Sequence, residues 1–371
     1  MFNKNEPYAI EPGEMAKLMV GIDWADSHAC IRKAHICAIF SQWAYCEIPE
    51  WEFKRANGIK MRRAKLFQPS GLFERLLTEQ NRTKSSLREL LEIRREARDP
   101  EGQNRIQYVT TIDHPLVQAV VLRMNEVIFV SYRGTVMSMQ RFISTISDLV
   151  SDIWYQKVSP VGGKPELAFH RGFYKAASET FESLSKAISD CCANNGIKKP
   201  LIYVTGHSLG GAMAAVLNAS WNGSYVPSGL EAYPIRSTYT FGMPRFGDVG
   251  TINELSVVEQ LTNLKRRAPP NPFGPKSNQA AATMPFVSLF PYHLSNVGDS
   301  IPHLPMSYLG FEDSPKEWSS ASGLRVGFDY KKCGDDAAFS DLLKLRTLSD
   351  HEINRYLYNT RYLAENNIQL A

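Results

Sequence analysis

Apolar positions along the chain repeat with two different periods, and these predict strands and helices in alternation. Short runs rich in β-branched and aromatic residues predict strands, and Asn125 with Glu126 predicts a hairpin turn between two of them. The strands are predicted at 106–111, 119–124, 127–132, 201–205, 238–241 and 293–297. The run at 201–205 is apolar throughout, which is typical of a strand buried on both faces of a parallel sheet.

Apolar residues three and four positions apart predict the helices. They are predicted at 14–46, 136–154, 173–193, 209–219 and 350–366. The helix at 173–193 ends before Asn194, Asn195 and Gly196, a common way for a helix to stop. Because strands and helices alternate, we expect an α/β fold with a mostly parallel central sheet flanked by helices.

The composition is that of a globular protein and excludes several other classes. Of the 371 residues, 43% are hydrophobic and 22% are charged, which argues against a disordered chain or a small disulfide scaffold. We expect 1–371 to form a single domain. The formal net charge of +4 gives no indication of nucleic-acid binding. The six cysteines include no CxxC pair, so we predict reduced thiols, no metal site and no cofactor.

No targeting or membrane-spanning segment is predicted. The N-terminal residues lack a basic start followed by a continuous apolar run, so a classical signal peptide is not expected. The chain contains no stretch of 18 apolar residues, so no transmembrane helix is expected. We therefore predict a protein that is cytoplasmic, or secreted without a classical signal peptide.

Two segments are predicted to be insertions. Residues 48–105 read as a helical, basic insertion: 52–105 alone hold 14 Lys and Arg against 8 Asp and Glu. This segment is suited to anionic lipid headgroups or a partner protein, but its interleaved Arg and Glu favour a solvated helical hairpin. Residues 262–291 read as a Pro-rich loop insertion, with six prolines between 268 and 291.

The sequence Gly206-His207-Ser208-Leu209-Gly210 carries the clearest chemistry. It matches G-x-S-x-G and lies between an apolar strand and a small-residue helix, the setting of a nucleophile elbow. In such a turn Ser208 is the nucleophile, and the backbone N–H of Leu209 is the first donor to the oxyanion.

With this elbow as the centre, the chain resembles the class 3 lipases, an α/β-hydrolase family of triacylglycerol lipases, phospholipases and related esterases. Further segments match family motifs in the right order. They are 44–46, 130–135, 170–173, 240–245, 296–302 and 351–356. The resemblance covers roughly 30–47 and 106–360 and implies the α/β-hydrolase fold. It leaves out the two predicted insertions.

The resemblance implies a role for each matching residue. Ser208 would attack an ester carbonyl, His351 would act as general base and then as general acid, and Asp299 would orient His351. Thr135 would supply the second oxyanion contact. The chain order Ser, Asp, His is the order found in α/β-hydrolases.

Other histidines and acids compete for two of these roles. His303 is close to Asp299 in sequence and is a minor candidate for lining the site, whereas His207 is expected to point away from the chemistry. His170 is expected to have a structural role, and Asp350 to point elsewhere. The remaining competitors are His293 and Asp248.

The resemblance therefore predicts a serine hydrolase that cleaves lipid esters through an acyl-enzyme, with possible peripheral contact to a lipid surface. Phospholipase A1 activity, in a signal-less secreted effector, is one alternative. A non-catalytic α/β-hydrolase used as a binding module is the other. Within the family a short helix after the Arg-Gly-Thr strand covers the site. Residues 136–147 correspond to it, and the apolar run at 284–291 is a second candidate for a flap.

Overall fold

The structure is a computed structural model, and it describes eleven stretches of the chain. They are 18–46, 106–114, 117–134, 156–160, 167–223, 233–267, 287–296, 299, 301–305, 307–320 and 351–366. The predicted insertion at 48–105, the predicted helix at 136–154 and Thr135 lie outside the described residues.

The strands form two sheets. In chain order they are β1 (Gln107–His114), β2 (Val117–Met124), β3 (Val127–Tyr132), β4 (Lys157–Val158), β5 (Phe169–His170), β6 (Leu201–His207), β7 (Ile235–Phe241), β8 (Gly247–Asp248), β9 (Tyr292–Asn296), β10 (Phe311–Glu312) and β11 (Glu317–Ser320). The main sheet has the order β1-β2-β3-β6-β7-β9-β11. Its first two pairings are antiparallel, and the pairings from β3 to β11 are parallel. A small sheet has the order β10-β8-β5-β4.

Helices cover both faces of the main sheet. They are α1 (Ile31–Trp43), α2 (Arg171–Ser178), α3 (Phe181–Asn195), α4 (Leu209–Asn222), α5 (Val249–Arg267) and α6 (Ile353–Glu365). α1 and α6 share one hydrophobic core with one face of the sheet, and α2 to α5 share a second core with the other face. In the part of the chain that the structure describes, every helix is too short or too polar to span a bilayer.

Strand β6 contributes side chains to both hydrophobic cores. It is central in the sheet and its side chains alternate between the two faces. Ile202 and Val204 enter the core of α2 to α5, whereas Tyr203 enters the core of α1 and α6. All three side chains are buried, so the run at 201–205 lacks the polar positions of a strand with one wet face.

The N-terminal prediction was wrong in part. A continuous helix was expected over 14–46, but residues 20–30 are not helical and α1 begins at Ile31. The cause is local. Gly21 has φ +73°, and the Asp23 carboxylate accepts the backbone N–H of Ala25 at 2.9 Å, an interaction that stabilises a turn over a helix.

Two other predicted boundaries also differ from the structure. The single helix expected at 173–193 is two helices, α2 and α3, separated near Thr180, whose hydroxyl bonds the carbonyl of Ala177 at 2.7 Å. The predicted Pro-rich loop begins too early, since α5 continues through residue 267. Residues 268–286 lie outside the described part, and 287–290 are buried.

Candidate active site

Ser208 occupies a tight turn between β6 and α4. Its backbone has φ +58° and ψ −132°, a conformation that few non-glycine residues adopt and that costs about 1–3 kcal/mol. Two hydrogen bonds hold it: the Ser208 N–H donates to the carbonyl of Phe241, and the Ser208 carbonyl accepts the N–H of Gly211, both at 2.9 Å. The turn places the serine directly before the N-terminus of α4.

Glycine at position 210 makes this turn possible. A Cβ at Gly210 would lie 2.5 Å from the carbonyl oxygen of Tyr132 at the end of β3. No real Cβ tolerates that distance, so a larger residue would push α4 away from the sheet. The small residue therefore sets the distance between Ser208 and the neighbouring strand.

His351 links Ser208 to Asp299. The Nε2 atom of His351 lies 2.8 Å from Ser208 Oγ, and its Nδ1 atom lies 2.8 Å from Asp299 Oδ2. A carboxylate only accepts, so the proton of neutral His351 is on Nδ1 and Nε2 accepts the serine hydroxyl. The three residues come from different elements: the elbow after β6, the segment after β9 and the residues just before α6. All three are buried.

The surroundings of Asp299 favour its ionised form. Burial alone would raise its pKa, but the charge and hydrogen bond of His351 act against this, together with hydrogen bonds from Tyr356 and the backbone of Ile301. Their sum holds the pKa of Asp299 below its ordinary value. The Ile301 N–H donates to Oδ1 at 2.9 Å, and the Tyr356 hydroxyl donates to Oδ2 at 2.5 Å. A carboxylate held ionised in this way stabilises a positive charge on His351.

Three residues beside the site were not identified from the sequence as site residues. Tyr356 contacts Asp299, and His207 contacts His351. Tyr45 in turn contacts His207 at 2.8 Å between its hydroxyl and Nδ1. No spacing in the sequence indicates these contacts, because they join segments far apart in the chain. The expectation that His207 points away was wrong: its ring lies 4.7 Å from that of His351, centroid to centroid.

The competing histidines lie in other surroundings. The Nε2 atom of His293 accepts the backbone N–H of Met243 at 3.0 Å, and its Nδ1 lies 3.5 Å from the Glu317 carboxylate. His170 is buried and stacks on Phe173 with ring centroids 4.1 Å apart.

The remaining competitors are His303, Asp248 and Asp350. His303 lies in a 3₁₀ turn, and its carbonyl accepts a hydrogen bond from Arg245 at 2.9 Å. Asp248 caps α5, since its carboxylate accepts the N–H of Thr251 at 2.8 Å. Asp350 lies outside the described residues.

Of the two predicted oxyanion donors, Leu209 lies within the described residues. Leu209 is the first residue of α4, where a backbone N–H has no acceptor within the helix. Thr135 lies outside the described residues, but Gly134, which precedes it, is described and buried.

A mostly parallel sheet covered by helices on both faces, with a nucleophile elbow after its central strand, is an α/β-hydrolase fold. Residues 129–309 match the family model described as Lipase (class 3), just under half of the chain. Over this region the chain is similar to the class 3 lipases. The matched region contains Ser208 and Asp299 and ends before His351.

A curated relative and several solved structures are similar to parts of the chain. Toxin TseL of Vibrio cholerae serotype O1 (strain ATCC 39315 / El Tor Inaba N16961) is 38% identical over 95 residues, which are 26% of this chain and 12% of the toxin. The Rhizomucor miehei lipase propeptide complex is 22% identical with a TM-score of 0.38, covering 58% of this chain and 56% of that one. A mutant form of MDLA from Penicillium cyclopium is 14% identical with a TM-score of 0.44, covering 76% of this chain and 78% of that one. The match therefore spans a small part of the toxin and little more than half of the Rhizomucor miehei lipase.

Proposed function

We propose that the protein hydrolyses carboxylic esters of lipids, acylglycerols in the first place, with Ser208 as nucleophile, His351 as general base and acid, and Asp299 as the group that orients His351. The observation that carries the proposal is the buried line of two hydrogen bonds, each 2.8 Å long, that joins the three side chains. The match of residues 129–309 to the class 3 lipase model supports ester hydrolysis, and the strained elbow supports Ser208 as the attacking residue.

The reaction proceeds in two halves. Ser208 Oγ attacks the ester carbonyl carbon while its proton moves to His351 Nε2, and His351 then gives that proton to the departing alcohol. Water next attacks the acyl-enzyme, transfers a proton to His351 and releases the fatty acid. The serine recovers its proton from His351. Asp299 stays ionised throughout and stabilises the charged imidazole.

The negative charge that forms on the carbonyl oxygen needs donors. We assign this role to the backbone N–H of Leu209, at the positive end of the α4 dipole, and to Thr135 by the family resemblance. Loss of one such donor costs about 10²–10³ in rate.

The test replaces Ser208 by Ala and measures initial rates on esters from acetate to palmitate, on a triacylglycerol and on a diacyl phospholipid. We expect kcat/KM to fall by about 10⁴-fold or more, since the nucleophile is lost. Ser220→Ala is the matched control: this serine is buried in α4, the helix that follows Ser208, and its hydroxyl has no partner among the described residues. Its loss should leave the rate unchanged.

The same experiment separates the alternatives. Equal rates for wild type and Ser208→Ala, together with no labelling of Ser208 by a fluorophosphonate, would contradict the proposal and favour a non-catalytic binding module. Ser208-dependent hydrolysis of the phospholipid, with none of the triacylglycerol, would identify a phospholipase. A role as a toxin is a second candidate, and the observation that favours it is the 38% identity with Toxin TseL over 95 residues.

A further inference from the structure

His207 is buried beside the proposed general base, and its hydrogen bonds define its tautomer. Its Nε2 atom lies 2.5 Å from the main-chain carbonyl oxygen of His351. A carbonyl oxygen only accepts, so Nε2 carries the proton. In a neutral imidazole Nδ1 is then an acceptor, and the Tyr45 hydroxyl at 2.8 Å donates to it. The hydrogen bonds therefore form a chain in which Tyr45 donates to His207 and His207 donates to the backbone carbonyl of His351.

Tyr45 extends this line to the end of β3. Its hydroxyl oxygen accepts the backbone N–H of Gly134. The Tyr45 hydroxyl and the backbone of Gly134 are packed tightly. A Cβ at Gly134 would lie only 2.1 Å from the Tyr45 hydroxyl oxygen and 2.6 Å from the carbonyl oxygen of His207. Gly134 directly precedes Thr135 in the sequence. One network therefore joins the segment that leads to the proposed oxyanion residue with the residue proposed as general base.

The network is uncharged. Burial is the main reason that the pKa of His207 falls to about 3, and the nearby His351 adds to the effect. Burial also raises the pKa of Tyr45 far above its ordinary value. His207 therefore stays neutral at any pH at which His351 works as a base, and it adds no charge beside an imidazole that must become positive. The His207 ring also packs on the His351 ring at 34°.

We propose that Tyr45 and His207 are positioning residues that hold the backbone of His351 and the backbone of Gly134 in register with Ser208. The inference rests on the proposed function, because it assigns these two residues to the same reaction. His351 must meet Ser208 and Asp299 at 2.8 Å on both sides of one ring, so a small shift of its backbone lengthens two hydrogen bonds. Displacements on the order of 1 Å cost about 10²-fold in rate.

Three variants of the full chain test the proposal with p-nitrophenyl butyrate. Tyr45→Phe removes one hydroxyl and keeps the ring. His207→Phe keeps an aromatic ring beside His351 and removes both hydrogen bonds. His207→Gln restores a donor near the position of Nε2. Tyr108→Phe is the control, because it removes a partly buried hydroxyl far from Ser208 in the fold, on β1 at the sheet edge.

We expect kcat to fall about tenfold in Tyr45→Phe and about 10²-fold in His207→Phe, with KM within twofold of wild type. His207→Gln should recover at least tenfold in kcat over His207→Phe, since its amide again donates to the His351 carbonyl. A purely structural role would not produce this recovery at equal melting temperature. Nitrogen-15 NMR of wild type should show His207 protonated on Nε2 and not on Nδ1.

The outcomes separate the two proposals. If Ser208→Ala is inactive but Tyr45→Phe and His207→Phe keep kcat within twofold of wild type, the positioning role is overturned and the ester hydrolase stands. A His207→Gln variant no better than His207→Phe, or a proton on Nδ1 of His207, also overturns it. Full activity in Ser208→Ala would overturn both proposals.

Discussion

Tyr356 shows how one hydroxyl serves two partners. It donates to Asp299 Oδ2 at 2.5 Å and accepts the backbone N–H of Asn296 at 3.1 Å. Asn296 ends β9, and Tyr356 lies on α6, so this hydroxyl ties the strand that leads to Asp299 to the helix that follows His351. The Asp299 carboxylate accepts hydrogen bonds from His351, Tyr356 and the backbone N–H of Ile301. Together they restrain its rotation away from His351.

At the residue scale we predict the effect of Tyr356→Phe. The variant removes a donor to the ionised carboxylate, so the pKa of Asp299 should rise and the acid side of the kcat/KM profile should move to higher pH. Hydrogen bonds to charged groups are worth about 1.5–3 kcal/mol, so kcat should fall about tenfold or more. Steady-state rates between pH 4 and 9 measure both effects.

The control for that experiment is Tyr362→Phe, on the same helix but half exposed. It should leave kcat and the pH profile unchanged. An acid limb that coincides for Tyr356→Phe and wild type would contradict the role of the Tyr356 hydroxyl.

At the level of secondary-structure elements, the close packing of α4 on the sheet requires a glycine at position 210. The helix begins at the elbow and lies against β3, where Gly210 meets the end of that strand. α4 is almost entirely buried and rich in Ala, so its packing against the sheet leaves little room to shift.

We predict that Gly210→Ala lowers the free energy of unfolding by several kcal/mol and abolishes ester hydrolysis, because the new Cβ forces α4 away from β3. Gly196→Ala is the matched control. Gly196 has φ +65° but no atom within 4 Å of a Cβ, so only the backbone cost of about 1 kcal/mol applies. Urea unfolding of both variants measures the difference. A smaller loss in Gly210→Ala than in Gly196→Ala would show that the contact is not limiting.

At the scale of the whole molecule, buried neutral histidines make stability depend on pH. Burial lowers the pKa of His35 and His207 to about 3 and that of His170 to about 4, from an ordinary 6.5. Between these values and 6.5, the unfolded chain binds protons that the folded chain does not. The contribution of these histidines to the free energy of unfolding is therefore fully present above pH 6.5, and it is lost as the pH falls through this window. The lowered pKa of Asp299 acts in the same direction.

We predict that His170→Phe reduces this acid sensitivity. Phenylalanine fits the aromatic contacts of His170 with Phe173 and Phe311, and it removes one group that titrates only when the chain unfolds. The variant should lose about 2 kcal/mol less than wild type between pH 7 and pH 5. Urea unfolding at several pH values measures the slope.

The control for the pH slope is Leu264→Ala, since Leu264 is 63% exposed and its side chain carries no titratable group. Its slope should equal that of wild type. Identical slopes for His170→Phe and wild type would mean that His170 takes up a proton in the folded chain.

Neighbouring residues specify the local features of this protein. The strands predicted at 119–124 and 127–132 correspond to β2 and β3, and the elbow at Ser208 was evident from the strand, glycines and helix around it. These features arise from short-range sterics and periodicity, which neighbouring residues specify. The same reasoning failed at 20–30, where side-chain hydrogen bonds to the backbone outweigh helical spacing.

Contacts between side chains that are distant in the sequence depend on the tertiary fold. The sequence named His351 among five candidate histidines through a family resemblance, but the fold brings its ring to 2.8 Å from Ser208, which is 143 positions away in the chain. Tyr45 and His207 are 162 positions apart and share a hydrogen bond. Such contacts depend on how strands order within the sheet and how helices cross it. No local pattern encodes the direction of a hydroxyl or an imidazole toward a partner on another element.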